Sequence, residues 1–486
     1  MSKQNNLTDF LTDVANAIRA KKGSTDLINP QNFSSEIASL PSGLEIVDMT
    51  ETTATIEPNK VYVWGMVESL DITLGASTDE NDFLAFRFRC SKPTMTSLIV
   101  NGATWADDTE LDAEGKPILD LGSWYQCEIK GGTSALYARL AHYIPFADSN
   151  VEAVLLAKGV GDGLGVTYKD AAKVTSISTW FKGNADITAF SEFVNFSGIS
   201  RLLDYAFQNC SSLAEITLPA SLTSIGTYVF QNCSSLTRVI NLENTKVTSI
   251  GGNAFKDCTS LTEITLPDTL TSISGNIFQG CKSLTRVMNL ENTKVTGIGA
   301  HAFYGCTLLT EITLPDTLTS IRDNTFNGCK SLTRVMNLEN TKVTGIGAYA
   351  FENCTPLTEI TLPDTLTSIG SSAFQGCKSL TRVMNLENTK VTSIGAHAFN
   401  GCTLLTEITL PDTLTSIGSE TFNGCKSLQY IRIQATTPPT LSNKNAIPST
   451  IGAIYVPDES VAAYQAATNW SSFASKIKGI SEMPAE

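Results

Sequence analysis

From Phe207 onward the apolar positions follow one template, Phe-x-x-Cys-x-x-Leu with Ile or Val three residues later, which Phe207, Cys210, Leu213 and Ile216 open. The cysteines mark its period: Cys210, Cys233, Cys258, Cys281, Cys306, Cys329, Cys354, Cys377, Cys402 and Cys425 lie alternately 23 and 25 residues apart. A unit of this length cannot bury its own apolar residues and acquires a core only with another unit above and below it. The pattern therefore predicts a solenoid in which the cysteines form one column and the phenylalanines, from Phe207 to Phe422, another.

Short units continue Leu-Thr-Glu-Ile-Thr-Leu-Pro-Asp, as at residues 261–268, and long ones Leu-Thr-Arg-Val-Met-Asn-Leu-Glu, as at residues 284–291. If each begins a parallel strand, the second residue after the leucine reads Glu215, Arg238, Glu263, Arg286, Glu311, Arg334, Glu359, Arg382, Glu407. Parallel strands lie about 4.8 Å apart, so each charge has opposite charges on both sides, a ladder of ion pairs. The ladder reads either as a charged ligand groove or as a register device. Register is favoured, because a slip of one coil would set like charges opposite each other along the sheet. The next outward position alternates Thr265, Met288, Thr313, Met336, Thr361, Met384, Thr409, a polar face with soft apolar spots suited to adaptable binding or to partial cover.

Stacking brings the thiols near enough to bridge, but no Cys-x-x-Cys or Cys/His cluster accompanies them, and the histidines are His142, His301 and His397 alone. A column of small, reduced, buried side chains is the reading adopted, with Cys90 and Cys127 outside it unassigned. Residues 437–480 close the array as a lid: Val461, Tyr464 and Trp470 are expected to cover the last coil, with Asp458, Glu459 and Ser460 opening a short helix.

Upstream, Asn6 caps a predicted helix with Leu7, Phe10, Leu11, Val14 and Ile18 on one face, ended by Lys21, Lys22 and Gly23. Asn29 and Pro30 open a second, with Phe33, Ile37 and Leu40 aligned. Two such helices need a partner to be stable. Residues from about Ile46 to Ile144 alternate as strands, at 61–64, 84–90, 98–100, 124–129 and 136–140, with turn signals at Asn101-Gly102 and Gly131-Gly132.

The repeated unit Leu-Thr-Glu-Ile-Thr-Leu-Pro-Asp-Thr-Leu-Thr-Ser-Ile-Gly-x-x-Ala-Phe-x-x-Cys resembles BspA-type leucine-rich repeats, over about residues 170 to 433. That resemblance implies a binding solenoid of the kind carried by bacterial surface proteins and by phage-borne proteins. The helical segment, with Leu-Thr-Asp-Val-Ala-Asn-Ala-Ile-Arg-Ala-Lys and Ile-Asn-Pro-Gln-Asn-Phe, resembles the opening of phage tail and fibre proteins over about 40 residues. The strand region is similar to a β-module of such fibres, from which Cys127 and the acidic stretch Asp107 to Glu114 depart.

The expected fold is mainly β: a helical attachment segment at 1–43, an all-β spacer at 44–148, a leucine-rich-repeat solenoid with a parallel sheet at 149–428 and a cap at 429–486. A net charge of −14 argues against nucleic acid or an anionic membrane surface as partner, and no stretch is long and apolar enough to span a bilayer. The Lys column Lys282, Lys330, Lys378, Lys426 reads as a solvated stripe. The glycine run from Gly159 to Gly165 lacks the spacing of a nucleotide-binding loop and reads as a hinge. Asp108, Glu110, Asp112 and Glu114 lack the glycine and distal Glu of an EF-hand and read as a solvated loop. Neither a catalytic group nor a metal or other cofactor is expected.

Two columns vary while their neighbours stay constant. Two before the phenylalanine stand Asn253, His301, Tyr349 and His397; just after it stand Lys256, Tyr304, Glu352 and Asn400. They are the candidate ligand-binding stripe, against drift at exposed turn positions. The expected task is non-enzymatic adhesion to a bacterial surface protein or glycan from a phage tail or fibre, as a homo-oligomer held to other virion proteins through residues 1–43. The alternatives are a bacterial cell-surface leucine-rich-repeat adhesin and a purely structural virion decoration. The first ten residues, without a continuous apolar core or cleavage site, favour the virion.

Overall fold

The computed structural model describes the strands between residues 45 and 142, residues 143–161 and residues 165–484. The predicted helical pair and the acidic stretch Asp107 to Glu114 lie outside the described residues. The chain divides into two units, Met1–Val174 and Thr175–Glu486.

The first unit is built of short strands: β1 (Glu45–Met49), β2 (Thr53–Ile56), β3 (Lys60–Val67), β4 (Ser69–Leu74), β5 (Leu84–Cys90), β6 (Ser97–Asn101), β7 (Ala103–Trp105), β8 (Trp124–Gly131) and β9 (Leu136–His142). They form a six-stranded sheet in the order β1-β3-β5-β8-β9-β7 and a three-stranded parallel sheet β2-β4-β6. The strand segments read from alternation all fall within these elements. Gly131 ends β8, which turns back to pair antiparallel with β9, whereas Asn101 ends β6, and β7, from Ala103, belongs to the other sheet. Cys127 is buried on β8. Helix α1 (Ser149–Ala157) is capped by Asp148, which accepts from the Asn150 amide at 2.9 Å, and α2 (Tyr168–Lys173) by a reciprocal Thr167/Asp170 box.

The second unit is the solenoid, and its coils stack in register. Successive rings from Phe207 to Phe422 lie 5.2–5.6 Å apart and within 17° of parallel. Beside them the ten cysteines are buried thiols, each donating to the carbonyl of a phenylalanine in the preceding coil, as Cys258 Sγ does to Phe230 O at 3.1 Å. Burial pushes the thiols of Cys258, Cys281, Cys306, Cys329, Cys354 and Cys402 well above their ordinary value, and those of Cys377 and Cys425 up to about 12. From Cys258 to Cys425 the column is thus protonated packing material with satisfied S–H groups.

Each coil has two short strands. The second, Ser-Ile or Gly-Ile in most coils, joins an unbroken eleven-stranded parallel sheet running from Arg201–Leu202 to Thr440–Leu441. Adjacent backbones come very close there. A Cβ at Gly347 would stand 2.5 Å from the carbonyl carbon of Arg322, so only glycine fits.

The first strands bear the alternating charges, and they correct the expected ladder. Register sets Glu215 opposite Arg238, Glu263 opposite Arg286, Glu311 opposite Arg334 and Glu359 opposite Arg382. Pairing stops after each long coil, because Asn241, Asn289, Asn337 and Asn385 turn left-handed (φ 67–70°) and lead into a 3₁₀ turn carrying the two extra residues. The side-chain amide of Asn289 then donates to Leu266 O (2.8 Å) and Asp268 Oδ1 (2.6 Å), tying that bend to the coil before it. Among the described residues of the column, only Arg286 and Glu311, at 3.7 Å, form a direct ion pair, and they do so across an unpaired junction. Water competes for such exposed groups, so charge alternation marks register without making a continuous salt-bridge ladder.

Both ends of the solenoid are closed. At the start Phe181, Phe190, Phe193 and Phe196, all fully buried, cluster beneath Phe207, with ring centroids 4.9–6.4 Å apart. At the far end a helix, Val461–Ala466, brings in Tyr464, edge-on to Trp470 at 5.2 Å. The Tyr464 hydroxyl donates to Ala435 O (2.7 Å) and the Trp470 indole to Pro439 O (2.8 Å), so the cap rings are both buried and hydrogen-bonded. Val461 is only half-buried.

Candidate functional site

The variable columns sit on the turn that precedes each cysteine. The turn is framed by two left-handed residues, at 253 and 257 (φ 60° and 58°), 301 and 305 (58° and 70°), 349 and 353 (both 59°), and 397 and 401 (58° and 73°). Between them the amides of alternate residues face the next coil: Asn253, Phe255 and Asp257 donate to Gly275, Ile277 and Gln279 at 3.2, 2.9 and 2.7 Å. Ala254 and Phe255 are fully buried, so the side chains at 253 and 256 are left on the outer side of the turn.

Asn253, Lys256, His301, Glu352, His397 and Asn400 are half-buried, whereas Tyr304 and Tyr349 are exposed. The two columns meet within each coil. The His301 and Tyr304 rings lie 5.6 Å apart, and Asn400 Nδ2 is 3.5 Å from His397 Nδ1. Neighbouring coils join in: Asn327 Nδ2 donates to Glu352 Oε2 at 2.7 Å, and His397 Nδ1 stands 3.7 Å from Glu420 Oε2. The edge also begins earlier in the stack than Asn253. Tyr205 and Tyr228, at the same left-handed position, stack at 5.1 Å and 5°, with Lys182 Nζ 4.5 Å over the first ring.

Sequence comparison of the two columns missed a third, two residues after the cysteine. Most coils carry serine there, but Leu308 and Leu404 replace it. With Tyr304 (39% exposed) and Tyr349 (41%), Leu308 (49%) and Leu404 (48%) make four of the six exposed large apolar side chains among the described residues. The signal was present, since a leucine in a serine column between Cys and a buried Leu has no inward position left to take.

Left-handed backbone disfavours a side chain with bulk at Cβ and is better tolerated by Asn. Tyr349 therefore occupies its place against local preference, which is where function is sought first. Tyr349→Asn is expected to raise stability by about 1 kcal/mol while removing an exposed ring; a higher denaturation midpoint, measured next to wild type, checks it.

Among the described residues no group of three His, Cys, Asp or Glu side chains is placed to hold a metal. What the edge offers is surface: rings, two leucines, amides and scattered charges along a rigid stack.

The family profile described as BspA type leucine rich repeat region matches residues 181–294, 287–388 and 336–444. Among solved structures, a leucine-rich repeat protein from Bacteroides ovatus aligns with 65% of this chain over 88% of its own length, at 26% identity and a TM-score of 0.44. A leucine rich cell surface protein from Faecalibacterium prausnitzii aligns with 60% of this chain over 82% of its own, at 24% identity and a TM-score of 0.34. No curated protein sequence matches. The matched repeats span more than half of the chain and coincide with the stacked Phe and Cys columns, and the chain belongs to the BspA-type leucine-rich-repeat family.

Proposed function

We propose that this protein is a non-enzymatic adhesin whose solenoid holds a bacterial surface protein or glycan along its turn edge. The observation that carries the reading is the concentration of side-chain diversity, and of four of the six exposed large apolar side chains among the described residues, on one edge of coils that are otherwise near copies. Rigid aromatic and apolar anchors beside adaptable polar groups are the composition of binding surfaces. Each contact is weak, and display of several copies together would multiply them.

Family membership supports display on the outside of a bacterial cell. The N-terminal sequence, with its likeness to phage tail and fibre proteins, favours a second setting, the virion, with residues 1–43 as the attachment segment. Immunogold labelling with antibody to the solenoid separates the two, by decoration either of cells or of purified particles.

For the turn edge itself, the combined variant Tyr304→Ala, Tyr349→Ala is expected to lower retention of the labelled protein on target cells by tenfold or more. About 2 kcal/mol lost at an anchor corresponds to that and more. Unchanged retention by a folded double variant removes the edge from the reading.

A further inference from the structure

The charged strands of the solenoid carry a second periodic feature, on a segment of the coil separate from the turn edge. Glu311–Thr313 pairs with Arg334–Met336, and Glu359–Thr361 with Arg382–Met384, but no pairing joins Arg334–Met336 to Glu359–Thr361. A cavity of about 170 Å³ opens in that gap, lined by Arg334, Met336, Asn337, Glu339, Glu359 and Thr361 among others. The same residue types flank the junctions on either side, with Arg286, Met288 and Glu311 at one and Arg382, Met384 and Glu407 at the other. At the first junction, between Arg238 and Glu263, Ile240 stands in place of the methionine.

Two properties of these junctions constrain what fits them. The first is translation: successive double coils advance by about 10.5 to 10.9 Å along the phenylalanine column, so the junctions recur at that step, three of them with the same arginine, methionine and glutamate. Identical sites at a fixed step match a ligand that repeats itself by the same step. A folded protein surface does not, and the varied turn edge suits that kind of partner better. The second property is charge. Each junction sets one arginine against two glutamates, Arg334 against Glu339 and Glu359 in the cleft described, which disfavours polyanions such as nucleic acid, teichoic acid or uronate chains.

We propose that the junction clefts form a periodic site for an extended, uncharged β-linked polysaccharide, with one disaccharide to each double coil. An extended β-1,4-linked chain advances by a step close to this one for every two sugars. Methionine supplies a deformable apolar patch for the C–H face of a sugar ring. Arginine, asparagine, glutamate and threonine around it supply donors and acceptors for hydroxyl and acetamido groups. The asparagine is fixed in advance by its left-handed backbone and by the bonds its amide makes to the preceding coil, Asn337 Nδ2 donating to Leu314 O and Asp316 Oδ1, both at 2.7 Å. Its order is therefore independent of ligand, which limits the entropy lost on binding.

The test is calorimetric titration of the full chain with β-1,4-linked N-acetylglucosamine oligomers of two, four, six and eight sugars and longer. Affinity is expected to climb at least tenfold from dimer to octamer as successive clefts are engaged, then to level off. Removal of residues 306–353, one double coil, leaves three junctions and is expected to move the plateau to the hexamer. Met336→Glu with Met384→Glu, which places like charge in two clefts without shortening the stack, is expected to lower octamer affinity tenfold or more while the circular dichroism spectrum is retained. Failure of the full chain to bind any oligomer, affinity independent of length, or unaltered octamer binding by the folded methionine variant overturns the proposal. None of these results touches the turn-edge reading, which Tyr304 and Tyr349 report on separately.

Discussion

Above about pH 9 the solenoid is expected to lose stability steeply and to melt at far lower temperature by about pH 11, because its thiols are buried in the protonated form. The neutral S–H fits the column, and burial holds the Cys377 and Cys425 pKa values at about 12, against an ordinary value near 9. A folded pKa raised above the unfolded one leaves stability intact below the unfolded value and removes it as pH rises toward the folded one. The vulnerable window is therefore about 9 to 12, and within it each such thiol withdraws about 1.4 kcal/mol per pH unit. Coils share the column, so the losses accumulate along the stack. Tyrosine and lysine also titrate in this range, and the comparison that isolates the thiols is Cys377→Ala with Cys402→Ala. That variant is expected to be less stable than wild type at pH 8 but to show a clearly shallower decline between pH 9 and pH 11. Parallel declines would assign the alkaline loss to other groups. Thiol reagents at neutral pH are expected to leave the ten column cysteines unmodified until denaturant is added, since all ten are fully buried.

Gly347→Ala is expected to be among the most damaging single-methyl changes in the array, together with the equivalent Gly395 and Gly418, costing about 3 kcal/mol, the upper part of the range for overpacking. The added carbon would sit 2.5 Å from both Arg322 C and Asp323 N, backbone atoms of the adjacent coil that cannot swing aside. Gly305→Ala provides the contrast. That residue is left-handed at φ +70° with nothing within 4 Å, so it loses only the conformational term, about 1 kcal/mol. Repeat arrays do not unfold as one unit, so a single midpoint is a blunt measure of either variant. Hydrogen exchange is the sharper one. For Gly347→Ala the loss of protection should centre on the coils containing residues 322 and 347 and fade in both directions; loss confined to the Gly305 variant would place the tight contact elsewhere.

Much of this fold was legible because repetition averages out local ambiguity. Phe-x-x-Cys-x-x-Leu, met ten times, leaves no register for the interior other than the observed files of rings and thiols. The charge alternation was legible as register and misleading as chemistry: Glu263 does stand opposite Arg286, but both project into water, and pairing geometry says nothing of whether two flexible ends meet. The break after Met288 was hidden, because Asn289 reads as an ordinary polar residue until its backbone is seen to be left-handed. The aromatic cap of Phe181, Phe190, Phe193 and Phe196 was missed for the opposite reason, since a closing segment occurs once and has no period. In the candidate edge the variable positions could be read directly. That Tyr349 and His397 are held in a conformation suited to asparagine could not, because the residue types conceal it.

Dissimilar closures at the two ends, with near-identical double coils between them, separate two kinds of inherited information. The ends specify where growth of the stack stops, while the 48-residue module specifies only pitch. Unequal crossing-over between copies of the coding segment would lengthen or shorten the molecule by whole steps without exposing either hydrophobic terminus. Reach can thus evolve as a counted quantity, independently of what the surface recognises.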